Sequence, residues 1–395
     1  MSIIITISLF IIGMISKRSK CIYFLQFCWM WILMSFCENI YRFDYQNYLM
    51  KFYNSGINQI TIINSEFGYT LLNKFFYMIG MNFEQTNMIF NLFILSLIAY
   101  SIPKYTTYIT VPSSLYLIYP LFINGVQIRN SLSSAIIIFS IQFLLESDLK
   151  STIKFIVCVL LATTLHTTSI VYVLLVVAKY FNISKIRKIT AVLMFSIYII
   201  QQVFSFWLQI LFGEQRYIEK FAIKNTISET LFMIVWQLSL LISIILIKRK
   251  KNKSFLYNSN ANNRYDELVI KVNVLMLIIM PLYYLDFSVE RLVRNLLVIN
   301  FIYFAEFLKA IDKENKNNFS RIETSIFLGW FMGSAFIFEG WYADHWKNTV
   351  LSYLNQNMIV NHTMNYILML IVIATISVFL YVLDVKKVKI CNKRL

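Results

Sequence analysis

Residues 152–180 read TIKFIVCVLLATTLHTTSIVYVLLVVAKY, an apolar run with a polar hinge, Thr164-Leu165-His166-Thr167-Thr168, near its middle. Read as a single membrane span, the run delivers Lys179, Lys185, Arg187 and Lys188 to the outer side and inverts every segment after it. Most of the 36 Lys and Arg residues then face outside. Read as two short passes that turn at His166, the same run keeps those four residues inside, together with most of the other cations. Cytoplasmic loops retain positive charge, so the hairpin reading is the expected one.

The rest of the 395-residue chain belongs to the same solvent. It is 58% hydrophobic and only 14% charged, with 9 Gly and 4 Pro, where a soluble domain carries roughly 25% charged residues. Its apolar runs match helices crossing a hydrocarbon core of about 30 Å. The fold class is therefore an all-α, polytopic integral membrane protein. The net charge of +16 is not a nucleic-acid footprint. Its clusters, Lys17-Arg18-Lys20, Lys179 to Lys188, Lys248 to Lys253 and Lys386 to Arg394, each follow an apolar run, as inner loops do. Five cysteines show no CxxC and no zinc spacing, so neither disulfides nor a metal is expected. The first 16 residues lack the positive start and small-residue cleavage site of a signal peptide, and read as a first helix with its N-terminus outside.

In order, helices are expected at about 1–16, 21–37, 88–102, 109–123 and 127–145, with ends near 109–123 blurred by Pro112 and Pro120. The hairpin follows, and then helices at about 189–211, 229–247, 268–286, 291–309, 322–338 and 365–384. That makes thirteen passes in one membrane domain, with the C-terminus inside. Two large outer loops, 38–87 and 339–364, and a basic cytoplasmic loop, 248–267, interrupt it. Phe67 to Met81 is amphipathic enough to lie along the interface.

With this topology the ionisable residues that are not inner-loop charges gather at the outer face: Glu38, Arg42, Asp44, Glu66, Arg129, His166, Asp286, Glu290, Arg291, Arg294, Asp344 and His345. A charge at membrane depth is kept when it meets a partner, a ligand or water. Any one of these residues is explained as well by a local ion pair or a turn cap; the convergence on one face is what points to a site. Arginine's planar fork suits phosphate, and two or three arginines suit a diphosphate. Tyr41, Tyr45, Tyr48, Tyr53 and Tyr69, with Trp330, Trp341 and Trp346, suit sugar rings, or equally an interfacial aromatic belt. There is no Gly-rich nucleotide cradle and no paired-aspartate metal motif, which disfavours a nucleotide-sugar enzyme working from the cytoplasm.

The elements Tyr41-Arg42-x-Asp44-Tyr45-x-x-Tyr48, then Glu66-x-Gly68-Tyr69, Ile128-Arg129-Asn130-Ser131-Leu132, the hairpin TLHTTSI, and Glu290-Arg291-Leu292-x-Arg294-Asn295 together resemble the EpsG branch of the Wzy-type polysaccharide polymerases. The resemblance spans about 40–300. Asn130 replaces a frequent Gln, and Thr167-Thr168 replaces a small or Pro-Ser pair. The resemblance implies a GT-C-like or Wzy-like fold and a glycosyltransferase of the bacterial cytoplasmic membrane. Its implied substrate is a polyprenyl-diphosphate-linked oligosaccharide, which it transfers onto another lipid-linked repeat unit at the outer face. A flippase and a chain-length regulator are implied partners, no cofactor is implied, and the product is a capsule, exopolysaccharide or O-antigen. Within it, Asp44, Glu66 and His166 are the candidate bases or base-orienters. Arg129, Arg291 and Arg294, with Arg42 and Tyr45, are the candidates for substrate binding. A transporter or flippase of lipid-linked oligosaccharide gathers similar charges, though nearer mid-membrane and with internal repeats, which are not seen here. A ligase or O-acetyltransferase of the same pathway shares the lipid and sugar handling.

The hairpin reading is testable by side. A cysteine at Thr167 is expected to react with a membrane-impermeant thiol reagent in intact spheroplasts, and one at Asn252 is expected to stay unlabelled. The reverse pattern would invert the topology.

Overall fold

The structure, a computed structural model, describes residues 2–37, 44–57, 66–211, 225–252, 260–314, 321–336 and 338. Among these the architecture is all-α. In chain order the first helices are α1 (Ser2–Ile15), α2 (Lys20–Ser35), α3 (Tyr45–Ile57), α4 (Phe67–Met78) and α5 (Phe83–Ser101). They are followed by α6 (Thr110–Ile118), α7 (Leu121–Val126), α8 (Ile128–Ser140), α9 (Gln142–Leu145), α10 (Leu149–Leu165), α11 (Val176–Tyr180) and α12 (Ile183–Leu211). Helices at Ile227–Asn252, Asn260–Leu275, Arg291–Arg294, Leu297–Glu314 and Arg321–Ala335 complete the described chain. Among the described residues four stretches are long and apolar enough to cross a membrane, 83–104, 128–145, 227–251 and 264–284, and shorter apolar helices lie at 2–15, 20–35 and 167–180. The 339–364 loop, the helix expected at 365–384, Arg42, Asp344 and His345 lie outside the described residues.

Local chemistry explains where these helices begin and break. Asn82 and Gln85 form a reciprocal cap at the start of α5, Gln85 N–H donating to Asn82 Oδ1 at 2.9 Å and Asn82 N–H to Gln85 Oε1 at 3.1 Å, which satisfies two otherwise orphaned donors. The single helix expected at 109–123 is two, because Pro120 drives Tyr119 into extended backbone (φ −153°, ψ 131°) and ends α6 there. The helix expected at 268–286 starts earlier, at Asn260, and turns to 3₁₀ at Met276–Tyr284, where Pro281 sits. The stretch 248–267 is therefore helical at both ends. The 38–87 stretch holds α3 and α4, which pack on each other.

The hairpin is present. Asp148 caps α10 by accepting from Ser151 N–H at 3.1 Å, and α10 stops at His166, whose backbone is extended (φ −150°, ψ 112°). The chain continues as a 3₁₀ helix, Thr167–Leu175, and then α11. Thr152 and Tyr180 meet hydroxyl to hydroxyl at 2.7 Å, and Lys179 Nζ donates to Asp148 O at 2.9 Å and to Thr152 Oγ1 at 2.8 Å. Start and finish of the run thus lie side by side, so the single-span reading does not describe this chain.

At the centre, α8 packs against both α5 and α10. Its buried Ser131, Ser133, Ser134 and Ser140 let the neighbouring helices approach closely, and each hydroxyl donates to a carbonyl of its own chain segment, as small polar residues do between membrane helices. Because α8 and α10 run antiparallel, the start of α8 and the end of α10 share one end of the molecule. At the opposite end, Lys17 and Tyr108 both bond Asp312 Oδ2, at 2.7 and 2.8 Å.

Gly68 marks where α4 meets the hairpin tip: a Cβ there would lie 2.2 Å from Thr164 Oγ1 and 3.1 Å from the Thr164 carbonyl carbon. Gly68→Ala is expected to destabilise the protein by about 1–3 kcal/mol through overpacking. Gly329→Ala, in a mid-helix position with nothing within 4 Å, is expected to be neutral or to gain up to roughly 1 kcal/mol. Thermal midpoints of the purified proteins in one detergent distinguish the two.

Candidate active site

The site is built around Glu66, the residue preceding α4. A carboxylate there is favourably placed against the helix dipole, yet it makes no side-chain cap. Its oxygens are spent on other elements. Oε2 receives the Arg129 guanidinium from the first turn of α8 and has Lys51 Nζ of α3 at 3.5 Å. Oε1 faces His166 Nδ1 at 3.0 Å. The guanidinium of Arg129 also lies over the rings of Tyr48 and Tyr69, at 5.2 and 6.0 Å. A cation in the first turn opposes the dipole of α8, so Arg129 sits where it does for the sake of Glu66 and the site.

The carboxylate can only accept, so the His166 contact fixes the Nδ1–H tautomer and leaves the lone pair on Nε2. Nε2 is buried and has no hydrogen-bond partner among the described residues, and the same holds for Arg129 Nε. Burial, with the charges of Arg291, Arg129 and Lys51, pushes the His166 pKa down to about 3. Glu66 pulls the other way, but its charge is already shared with Arg129 and Lys51. The result is a neutral imidazole, held by a carboxylate and flanked by cations. Arg291 is the least committed of these: its Nε donates to Ser288 O at 2.7 Å, and no described residue accepts from its two terminal nitrogens.

Two polar locks hold the arginine-bearing segments in register. Asn130, beside Arg129, and Asn295 exchange amide hydrogen bonds at 3.0 and 2.8 Å, and Tyr172 OH donates to Leu292 O at 3.0 Å. Arg294 forms the second lock. It is 1% exposed, and its donors go to Glu290 (3.0 and 3.1 Å), Gln127 Oε1 (2.8 Å) and Asn124 Oδ1 (3.4 Å).

Of the residues singled out in the sequence, Glu66, His166 and Arg129 are in direct contact, with Arg291 beside them. Asp44 precedes α3 and accepts from Asn47 Nδ2 at 3.4 Å, close enough to influence Lys51 electrostatically without bonding to the Glu66 group. Tyr45 turns away to Glu84 and Phe83. Arg294 is enclosed by its own partners. Lys51 escaped the sequence reading, although Asp44, Tyr48 and Lys51 recur at the i, i+4, i+7 spacing of one helix face.

The depressed His166 pKa makes stability pH-dependent in a defined sense. The unfolded chain binds this proton near pH 6.5 and the folded one only near 3. The contribution is thus intact above 6.5 and is lost as the pH falls toward 3. From pH 7 to 5 the wild type is expected to lose roughly 2 kcal/mol more than His166→Gln, which does not titrate. Denaturant or thermal unfolding of both at the two pH values measures the difference.

A family model, the EpsG family, matches residues 20–353, a range that contains every residue of the site. No curated protein and no solved structure matches the chain. Spanning most of the sequence, the match establishes that this chain belongs to the EpsG family.

Proposed function

We propose that the protein is a surface-polysaccharide polymerase, a glycosyltransferase that transfers a polyprenyl-diphosphate-linked glycan onto a second lipid-linked repeat unit. The EpsG family points to a polysaccharide polymerase-like function in a membrane, and one observation supports the specific chemistry. A neutral imidazole with a partnerless Nε2 lies beside Arg129 and Arg291, so a proton acceptor and an anion clamp share one place.

In this reading the acceptor sugar hydroxyl gives its proton to His166 Nε2 as its oxygen attacks the anomeric carbon of the donor. The bond from that carbon to the diphosphate oxygen breaks, and the diphosphate departs with the electron pair. Arg291 and Arg129 offset the charge that develops on it. Glu66 holds the imidazole in its tautomer and stabilises the imidazolium, the part a carboxylate plays beside a general-base histidine. Asp44 acts on the site only electrostatically, through Lys51, Tyr45 is turned away from it, and Arg294 is a scaffold for the segment that carries Arg291. The Arg42 assignment to substrate binding stays with the family pattern. The site end faces outward in a thirteen-pass, Wzy-like topology, in the cytoplasmic membrane of a bacterium, with the N-terminus outside and the C-terminus inside.

Deletion is expected to leave a surface glycan one repeat unit long. Glycan that is full length but unattached would indicate a ligase, and units trapped inside the cell a flippase. His166→Gln is expected to lower the polymerisation rate by about 10²–10⁴-fold while the protein stays in the membrane at normal level. Arg129→Lys is expected to restore activity only partly relative to Arg129→Ala, because an ammonium does not reproduce the planar fork. Full-length polymer from His166→Gln would remove the imidazole from the mechanism.

A further inference from the structure

Three groups meet the Glu66 carboxylate, and they differ in how firmly they are held. The Glu66, Arg129 and His166 side chains are 15%, 22% and 11% exposed, whereas that of Lys51 is 49% exposed. Lys51 shares Oε2 with Arg129 but at 3.5 Å, beyond a good hydrogen bond. It sits on α3, on the face that also carries Asp44 and Tyr48. Around the carboxylate stand Lys51, Arg129 and Arg291 as cations, against Glu66 and Asp44 as anions, with His166 neutral. Asp286 and Glu290 of its own segment act on Arg291 electrostatically, and of the three cations the group best able to move is the lysine, an ammonium on a flexible stem.

From this placement, and resting on the polymerase reading above, we propose that Lys51 is a substrate-binding residue: it leaves Glu66 and closes on the diphosphate of the bound lipid-linked donor. Arg129 cannot make that exchange as readily, because it is enclosed by Glu66, Tyr48 and Tyr69. Lys51 covers the exposed flank of the clamp that Arg129 and Arg291 form from within. Moving it has a second effect: with Lys51 gone to the diphosphate, the Glu66 charge is shared between Arg129 and His166 alone. That strengthens its hold on His166 at the moment the imidazole has to take a proton. Burial and the neighbouring Arg129 charge lower the Lys51 pKa to about 8, so its amine is unusually reactive near neutral pH, and a bound diphosphate would return it to the ammonium form.

The test reads that amine directly in the full-length protein in detergent, with inorganic pyrophosphate as probe. A brief pulse of acetic anhydride at pH 8, followed by peptide mass spectrometry, gives the acetylation rate of Lys51 against exposed Lys188 at the other end of the molecule. Saturating pyrophosphate is expected to slow Lys51 at least tenfold and leave Lys188 unchanged. By calorimetry, Lys51→Gln is expected to weaken pyrophosphate at least tenfold, and Lys51→Arg to retain most of the affinity. If pyrophosphate binds in an Arg129-dependent way but leaves Lys51 acetylation unchanged, the role of Lys51 is overturned while the diphosphate site stands. If pyrophosphate does not bind at all, both are overturned. Protection of Lys51 in a protein whose deletion leaves polymer length unchanged sustains the diphosphate contact and overturns the polymerase reading.

Discussion

A single carboxylate organises this end of the molecule. Glu66 draws in a guanidinium from α8, an imidazole from the hairpin tip and an ammonium from α3, joining three packed elements through one charge. A mostly buried charge is tolerated only when it is paired and hydrogen-bonded, and the same holds for Arg129. Each therefore makes the other affordable, and removing one leaves an uncompensated charge whose penalty is several times that of losing a surface pair. The constraint acts on the backbone as well. For Glu66 to reach His166 and Arg129 at once, α4 has to start against the hairpin tip, and Gly68 is what lets it come that close.

The surrounding polar pairs extend that constraint inward. Amide pairs between Asn130 and Asn295, and between Asn273 and Asn300 at 2.8 and 3.2 Å, tie neighbouring segments together with directional bonds. Apolar faces in a bilayer have little preference for each other over lipid, so directional bonds of this kind set register where oily packing does not. Arg294 does the same with a full charge, closing Glu290, Gln127 and Asn124 around itself. The two arginines of the Arg291-Leu292-Val293-Arg294 turn are thus divided: the enclosed one fixes the segment, which frees the other to face the site.

Much of this was legible in the sequence, and the reason differs by feature. The hairpin at His166 followed from where the cations fall, because charge asymmetry across a membrane is a strong and cumulative signal. Arg129 stood out because a charge at a membrane helix end is costly, and Glu66 and His166 because they converge with it on one face and fall on the family pattern. Lys51 did not stand out, since it lies in a polar loop region where lysines are ordinary, and only its three-dimensional distance to Glu66 singles it out. Arg294 and Arg291 are indistinguishable as letters; which of them is enclosed depends on Glu290 one turn back and on Gln127 and Asn124 from a distant segment. Tyr45 looked like part of a tyrosine cluster, but the helical turn carries it to Glu84 and away from Tyr48.

The division between held and free groups bears on how such a site would work in a low-dielectric setting. A histidine that is buried and then flanked by Arg291, Arg129 and Lys51 is a poor proton acceptor, and its depressed pKa expresses burial first and those charges second. An anionic diphosphate entering between the cations would cancel the field that suppresses it, raising the basicity of Nε2 only when the donor is in place. Base strength would then be coupled to occupancy, so that the imidazole becomes effective on a bound substrate and stays inert toward water otherwise. No moving domain is needed for this. It follows from the Coulombic influence of three cations on one buried ring, and from the carboxylate that keeps the ring pointing the right way.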